Sequence, residues 1–189
     1  MIRFHIYLLV CLLTSLVRAQ EKIPVLSFSG LDYHSAHMFS LQTQTLSKPL
    51  ALVFISAKCP CSVSYFPTLD RLYRLFPNVT FVGIHSNADE MTPEFGKRLI
   101  TLAPKFPILQ DSQSKLVTAF GALKTPHVFL YTSDGSLAYE GGIDNSKRAE
   151  NASEHYLESA LHAVSQGRRP EVTSYRTLGC AIARAHEKK

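Results

Sequence analysis

The chain has 189 residues, 46% hydrophobic and 19% charged, with four cysteines, no tryptophan and a formal charge of +5. Those values suit one globular domain with appendages and exclude a disordered chain, a collagen-like repeat and a cysteine-dense miniature scaffold. The 20 Lys and Arg are scattered, the nearest approach to a basic patch being the tail (Arg168, Arg169, Arg176, Arg184, Lys188, Lys189), so no nucleic-acid partner is expected.

The chain opens on basic Arg3, an apolar run of 12 residues from Ile6 to Val17 that contains Cys11, and the small-residue site Val17-Arg18-Ala19. This layout predicts a secretory signal peptide over residues 1–19 and a periplasmic or secreted protein. The run is short of the roughly 20 residues a spanning helix needs, and no later segment is long and apolar enough, so no stable membrane insertion is expected after cleavage. Bulky Val10 makes Leu8-Leu9-Val10-Cys11 a poor lipoprotein site. Processing would leave 18 basic against 15 acidic residues and three cysteines, Cys59, Cys61 and Cys180. In a disulfide-permissive compartment an odd number invites one pair plus a thiol, or exchange among all three.

Residues 20–48 are polar and mixed, with a short apolar stretch from Ile23 to Phe28 and a turn signal at Ser29-Gly30. Pro49 to Ile55 is a continuous apolar run of strand length, the pattern of a buried central strand. It ends at Ser56-Ala57-Lys58-Cys59-Pro60-Cys61-Ser62, which places the cysteines beyond the carboxyl end of a buried strand, where α/β sheets hold their reaction sites. Ser62 can cap a helix bearing Phe66, Leu69, Leu72, Tyr73 and Phe76 on one face, kinked at Pro67.

Val79 to Ile84 reads as a second strand, Thr92 to Leu102 as a helix opened by Thr92-Pro93, Phe106 to Leu109 as a short strand, and Ser112 to Phe120 as a short helix closed by Gly121. The runs Thr125 to Tyr131 and Leu137 to Gly142 flank an Asp134-Gly135 turn and predict an antiparallel hairpin. Ser153 to Val164 is a last amphipathic helix ended by Gly167, and residues 168–189 form a tail with Pro170 and little periodicity. The order β, α, β, α, β hairpin, α predicts an α/β fold, a central mixed sheet with helices on both faces.

A cysteine serves redox chemistry when its thiolate is populated, and a strand-to-helix junction offers the positive end of a helix dipole for that purpose. Lys58 beside Cys59 pushes the same way, so Cys59 is the expected nucleophile. Cys61 is close enough to resolve it, although a ring with one intervening residue is tight. Cys180, on a mobile tail, is the alternative resolving thiol. A structural pair of packed thiols is the bland alternative for Cys59 and Cys61.

Phe54-Ile55-Ser56-Ala57-Lys58-Cys59-Pro60 leading into a helix with Pro67, Thr125-Pro126 opening the hairpin, and Asp134-Gly135 followed by Tyr139-Glu140-Gly141-Gly142 resemble the thioredoxin-like superfamily. The similarity is strongest to exported redoxins of the alkyl hydroperoxide reductase and thiol-specific antioxidant type, and covers about Val25 to Val164. It implies a thioredoxin-like domain over 20–167, a cis bond before Pro126 packed against the reactive cysteine, and Thr125 in contact with a bound substrate backbone. Lys58, Thr125 and Pro126 are thus the expected substrate-binding residues.

The sequence also departs from the pattern. Lys58 replaces the tryptophan of thioredoxins, Ser62 occupies the usual second cysteine position and Cys61 lies one residue early. Peroxiredoxins carry a proline where this chain has Leu52; Ser56 could stand in for their hydroxyl, and no suitably placed arginine is evident. These departures bear on peroxidase activity more than on thiol-disulfide exchange.

The leading expectation is an exported thiol-disulfide oxidoreductase acting on a protein disulfide or a hydroperoxide. It needs no bound cofactor but does need an external thiol reductant, since the chain has no nicotinamide or flavin fingerprint and Gly141-Gly142 is not a phosphate loop. Its rival is a copper-binding metallochaperone resembling the Sco proteins of the same fold, with Cys59, Cys61 and His127 as a soft site and His85 at the same sheet edge. A redox-inert interaction module is a third. Asp89-Glu90 reads as a solvated loop, His155 and His162 as surface or boundary residues, and Asn78-Val79-Thr80 and Asn151-Ala152-Ser153 as glycosylation patterns that decide nothing.

Overall fold

The structure, a computed structural model, describes residues 27–43 and 46–185. The expected signal peptide and the beginning of the apolar stretch from Ile23 lie outside the described residues. At the centre is a six-stranded sheet of order β5-β4-β3-β7-β8-β9, in which β3 is Leu50–Ile55, β4 Thr80–His85, β5 Ile108–Gln110, β7 His127–Tyr131, β8 Leu137–Gly141 and β9 Ser174–Tyr175. Strands β3, β4 and β5 run parallel, β7 is antiparallel to β3, and β8 returns antiparallel to β7. The sheet is mixed, as the element order implied.

Every residue of β3 is fully buried, which explains its unbroken apolar run. Alternate side chains serve opposite faces. Ala51, Val53 and Ile55 join a core with Leu69 and Leu72 of α2 (Phe66–Leu75), Leu99 of α3 (Pro93–Leu102) and Leu157 and Leu161 of α5 (Tyr156–Ser165). Leu50, Leu52 and Phe54 face the second core, with Val117 and Phe120 of α4 (Lys115–Phe120). Helices therefore cover both faces.

Two expectations change in detail. The helix after the cysteines is two helices, α1 (Pro60–Ser64) and α2, with the break at Tyr65 immediately before Phe66-Pro67. The N-cap of α1 is Cys59 rather than Ser62, whose hydroxyl instead reaches back to accept the Ser56 N–H at 3.0 Å. Proline at the first position of α1 fits because its missing N–H is unneeded there. Second, Ser29-Gly30 is not a turn: both lie within β1 (Ser27–Leu31), which pairs antiparallel with β2 (Met38–Gln42).

The largest departure is at the C-terminus. Residues read as an irregular mobile tail form β9, parallel to β8, and β10 (Cys180–Ala181), which pairs antiparallel with β6 (Lys124–Thr125). Gly141 permits the first contact. Its φ is +147, and a Cβ there would stand 2.0 Å from the Tyr175 carbonyl oxygen. Two-residue strands carry no periodicity, so pairing across the molecule, not local pattern, orders this segment. No helix among the described residues is long and apolar enough to cross a membrane.

Candidate functional site

Three chain segments meet at the carboxyl end of β3. Strand β3 delivers Ser56 to Cys59, the loop after β4 delivers Asn87 to Glu90, and β7, antiparallel to β3 with His127 opposite Phe54, brings Thr125 and Pro126 to the same end. The Thr125-Pro126 peptide bond is cis. The Thr125 carbonyl accepts the Cys59 thiol at 3.4 Å.

The pairing of β10 with β6 sets Cys180 opposite Thr125, and so adds a third sulfur. The thiol sulfurs of Cys59, Cys61 and Cys180 lie within 4.8 Å of one another. Cys59 is buried, Cys61 half-buried and Cys180 exposed. The sequence named all three residues but not their meeting.

The three thiols differ in acidity. Burial pushes the Cys59 thiol up, but hydrogen bonds from the Cys180 thiol, from the backbone N–H groups of Ser62 and Cys180, and from Thr125 outweigh it and hold Cys59 below the ordinary thiol value. Burial and then the Cys59 charge raise Cys61, with Lys147 pulling the other way. Burial, the hydrogen bond to Cys59 and the Cys59 charge push Cys180 up to about 12. The arrangement favours one thiolate, on Cys59, solvated by its neighbours.

Lys58 does not play the part expected of it in activating the thiol. Its ammonium is paired with Asp89 at 2.9 Å on an exposed edge, which raises the Lys58 pKa and spends the charge away from the sulfur. His127 is also elsewhere: its ring stacks on Phe129, and its Nε2 lies 3.4 Å from Glu140. Of the described residues that could hold an ion together, Cys180 takes the place assigned to His127.

Sequence reasoning missed Glu90, read as part of a solvated loop. Its side chain is buried and accepts hydrogen bonds from the Ser56 hydroxyl, from the backbone N–H of Ala57 at 2.7 Å and of Lys58 at 3.2 Å, and it lies 3.1 Å from His85 Nε2. Ser56 Oγ in turn accepts the Cys59 N–H at 2.8 Å. The Tyr33 hydroxyl meets the other His85 nitrogen at 3.0 Å. Burial raises the Glu90 carboxyl, while hydrogen bonds from His85 and Ser56 and the backbone more than offset it, leaving it below its ordinary value. Glu90 is the buried anion that shapes the cysteine loop. Its one signal in the sequence is a carboxylate five residues after His85, which does not distinguish it from a surface acid.

Among solved structures, a hypothetical protein of Sinorhizobium meliloti 1021 superposes with a TM-score of 0.76 at 26% identity over 88% of this chain and 95% of its own. An uncharacterized conserved protein of Geobacillus kaustophilus superposes at 0.73 with 23% identity, over 89% and 93%. A secreted disulfide oxidoreductase of Mycobacterium tuberculosis superposes at 0.56 with 24% identity, over 72% and 95%. The chain has a thioredoxin-like fold. No protein-family model matches the sequence, and neither does any curated protein. The fold assigns the cysteine loop and the cis-proline strand to the same end of the sheet, the arrangement built above from the residues.

Proposed function

We propose that this chain is a thiol-disulfide oxidoreductase with Cys59 as nucleophile and Cys180 as resolving thiol. The observation that carries the reading is the cluster of three thiols at the end of β3, in which the buried one is the most acidic. The Cys59 thiolate attacks one sulfur of the substrate disulfide. A Cys59–substrate S–S bond forms, the substrate S–S bond breaks, and one substrate thiolate leaves and takes a proton from water. Cys180 then attacks the Cys59 sulfur, expels the second substrate thiol and leaves a Cys59–Cys180 disulfide. The substrate gains two electrons, the protein loses two, and an external thiol reductant restores them.

Capture of the substrate also activates the resolving thiol. After burial, what raises Cys180 most is its hydrogen bond to Cys59 and the Cys59 charge, with smaller contributions from Cys61. Both Cys59 effects vanish once the thiolate is consumed in the mixed disulfide, so Cys180 becomes more acidic when it is needed. Cys61 sits in the first turn of α1 and would have to close a tight ring on Cys59. With a hydroperoxide the same thiolate would release an alcohol and become a sulfenic acid, which Cys180 would condense to the same disulfide with loss of water. The signal-peptide pattern of residues 1–19 supports export, where such disulfides persist.

The test is alkylation and disulfide mapping by mass spectrometry on the native protein. Cys59 is expected to react with iodoacetamide with a pH midpoint below the ordinary thiol value of about 8.5, and limiting oxidant to yield chiefly a Cys59–Cys180 disulfide. Resistance of Cys59 to both reagents would overturn the proposal.

A second reading rests on the same cluster. Three thiol sulfurs within 4.8 Å form a soft site of the type that selects cuprous ion. As a copper carrier the reduced protein would take up one tight equivalent, lost in Cys59→Ser and in Cys180→Ser but kept in His127→Ala. Retention of the equivalent by Cys180→Ser would eliminate the three-sulfur site.

A further inference from the structure

Strand β6 is two residues long, yet it lies against the reactive sulfur, since the Thr125 carbonyl accepts the Cys59 thiol. An extended polypeptide that presents a half-cystine to Cys59 along this edge must borrow the backbone groups that the edge turns outward, those of Leu123 and Thr125, the way an added strand binds any exposed sheet edge. In this chain they are already taken. Cys180 pairs with Thr125 and Ala181 with Lys124, antiparallel, and the Ile182 N–H continues the ladder to the Leu123 carbonyl at 3.0 Å.

The occupying segment is anchored on both sides of the cysteine. After it, the Ile182 side chain is 9% exposed and packs into the core that holds Val117 and Phe120. The Ala183 N–H bonds Asn87 Oδ1 at 3.2 Å, the Ala183 carbonyl accepts the Ala88 N–H at 2.7 Å, and the Ala185 N–H reaches Ser114 Oγ at 2.8 Å. Before it, Gly179 lies against Thr125 so closely that a Cβ would stand 1.9 Å from the Thr125 carbonyl oxygen. Only glycine allows this approach. The chain has placed its own cysteine-bearing strand where a peptide substrate would lie.

The sulfurs remain reachable from another direction. A cleft of about 310 Å³ has Cys59 and Cys180 in its wall, with Lys58, Asn87 and Asp89 around it, a size suited to a small molecule. Its rim carries both signs of charge, Lys58 and Asp89, and Asn87 Nδ2 has no protein partner, which leaves a donor for a carboxylate or carbonyl.

Resting on the oxidoreductase reading, we infer that strand β10 excludes peptide disulfides from β6 and that the substrate is a low-molecular-weight disulfide, such as that of an amino-acid or tripeptide thiol, entering by the cleft beside Lys58 and Asn87. The specificity lies in the strand's own backbone pairing, and releasing the strand widens it.

The experiment compares the initial rates at which the full-length reduced protein exchanges with oxidised glutathione and with insulin. The wild type is expected to favour glutathione by about tenfold or more in kcat/KM, the scale on which one blocked docking edge is felt. Gly179→Ala, which forces β10 off Thr125, should narrow that ratio by raising the insulin rate, with faster hydrogen exchange at the Ile182 and Ala183 amides as the sign that the strand has lifted. Ile182→Ser weakens the same anchor without crowding Thr125, and serves if Gly179→Ala does not fold. Equal use of both disulfides by the wild type, or a lifted strand with no gain toward insulin, would overturn the inference. If neither disulfide exchanges with Cys59 in any variant, it is the oxidoreductase reading that fails.

Discussion

Cys59→Ser is expected to reduce disulfide exchange by at least about a thousandfold, the scale of losing an activated nucleophile, while Cys180→Ser performs the first half of the reaction and stops there. The two variants separate because the thiols hold different roles in the same 4.8 Å cluster. A serine at 59 cannot form the thiolate that Cys180, Thr125 and the Ser62 N–H stabilise, so no mixed disulfide accumulates. A serine at 180 preserves the β10 backbone and its pairing with Thr125 but cannot expel the second half of the substrate. Intact-mass spectrometry after one equivalent of oxidised glutathione should show the wild type as an internal disulfide without adduct, Cys180→Ser with one glutathione on Cys59, and Cys59→Ser unmodified. Cys61→Ser should behave as the wild type. An adduct that persists on Cys61→Ser but resolves on Cys180→Ser would exchange the roles of those two cysteines.

What the sequence reveals divides by range of interaction. Strand β3 is legible because burial on both faces leaves six apolar residues in a row, and the β7–β8 hairpin because Asp134-Gly135 separates two such runs. Helices α3 and α4 announce themselves through Thr92-Pro93 and Gly121. The reactive position of Cys59 follows from its place between a buried strand and a proline-led helix. Long-range contacts leave no comparable trace. Strands β9 and β10 are too short for a period, and nothing in Thr177-Leu178-Gly179-Cys180 says that it pairs with Lys124-Thr125 some 55 residues earlier. Lys58 misleads for the related reason that its distant partner, Asp89, is invisible along the chain. Glu90 is the sharpest case: a glutamate in a polar loop is most often solvated, and only the fold shows four polar groups from two segments, Ser56 to Lys58 and His85, converging on it.

Glu90→Gln is expected to destabilise the protein by roughly 2–4 kcal/mol, the cost of disturbing a buried, multiply hydrogen-bonded carboxylate, which corresponds to a fall in Tm of roughly 5–15 °C for a domain of this size. An amide keeps one oxygen acceptor, but its NH₂ group meets the Ser56 hydroxyl or the Ala57 and Lys58 N–H groups donor to donor. The same substitution has a pH signature. Because the folded-state pKa of Glu90 is depressed, its stabilising contribution is fully present above the unfolded-state value of about 4.3 and is lost as pH falls through the folded value. The stability difference between wild type and Glu90→Gln should therefore be constant from neutrality down to about pH 5 and shrink below it. Chemical denaturation at several pH values measures this directly. The consequence for chemistry follows from the route by which Glu90 acts: it fixes Ser56 and the Ala57 and Lys58 amides, and Ser56 fixes the Cys59 N–H, so Glu90 is a positioning residue for the thiolate. Loosening that loop weakens the hydrogen bonds that hold the Cys59 thiol low, so in Glu90→Gln the pH midpoint of Cys59 alkylation should move upward. A midpoint unchanged in a variant that has lost stability would confine Glu90 to a structural role.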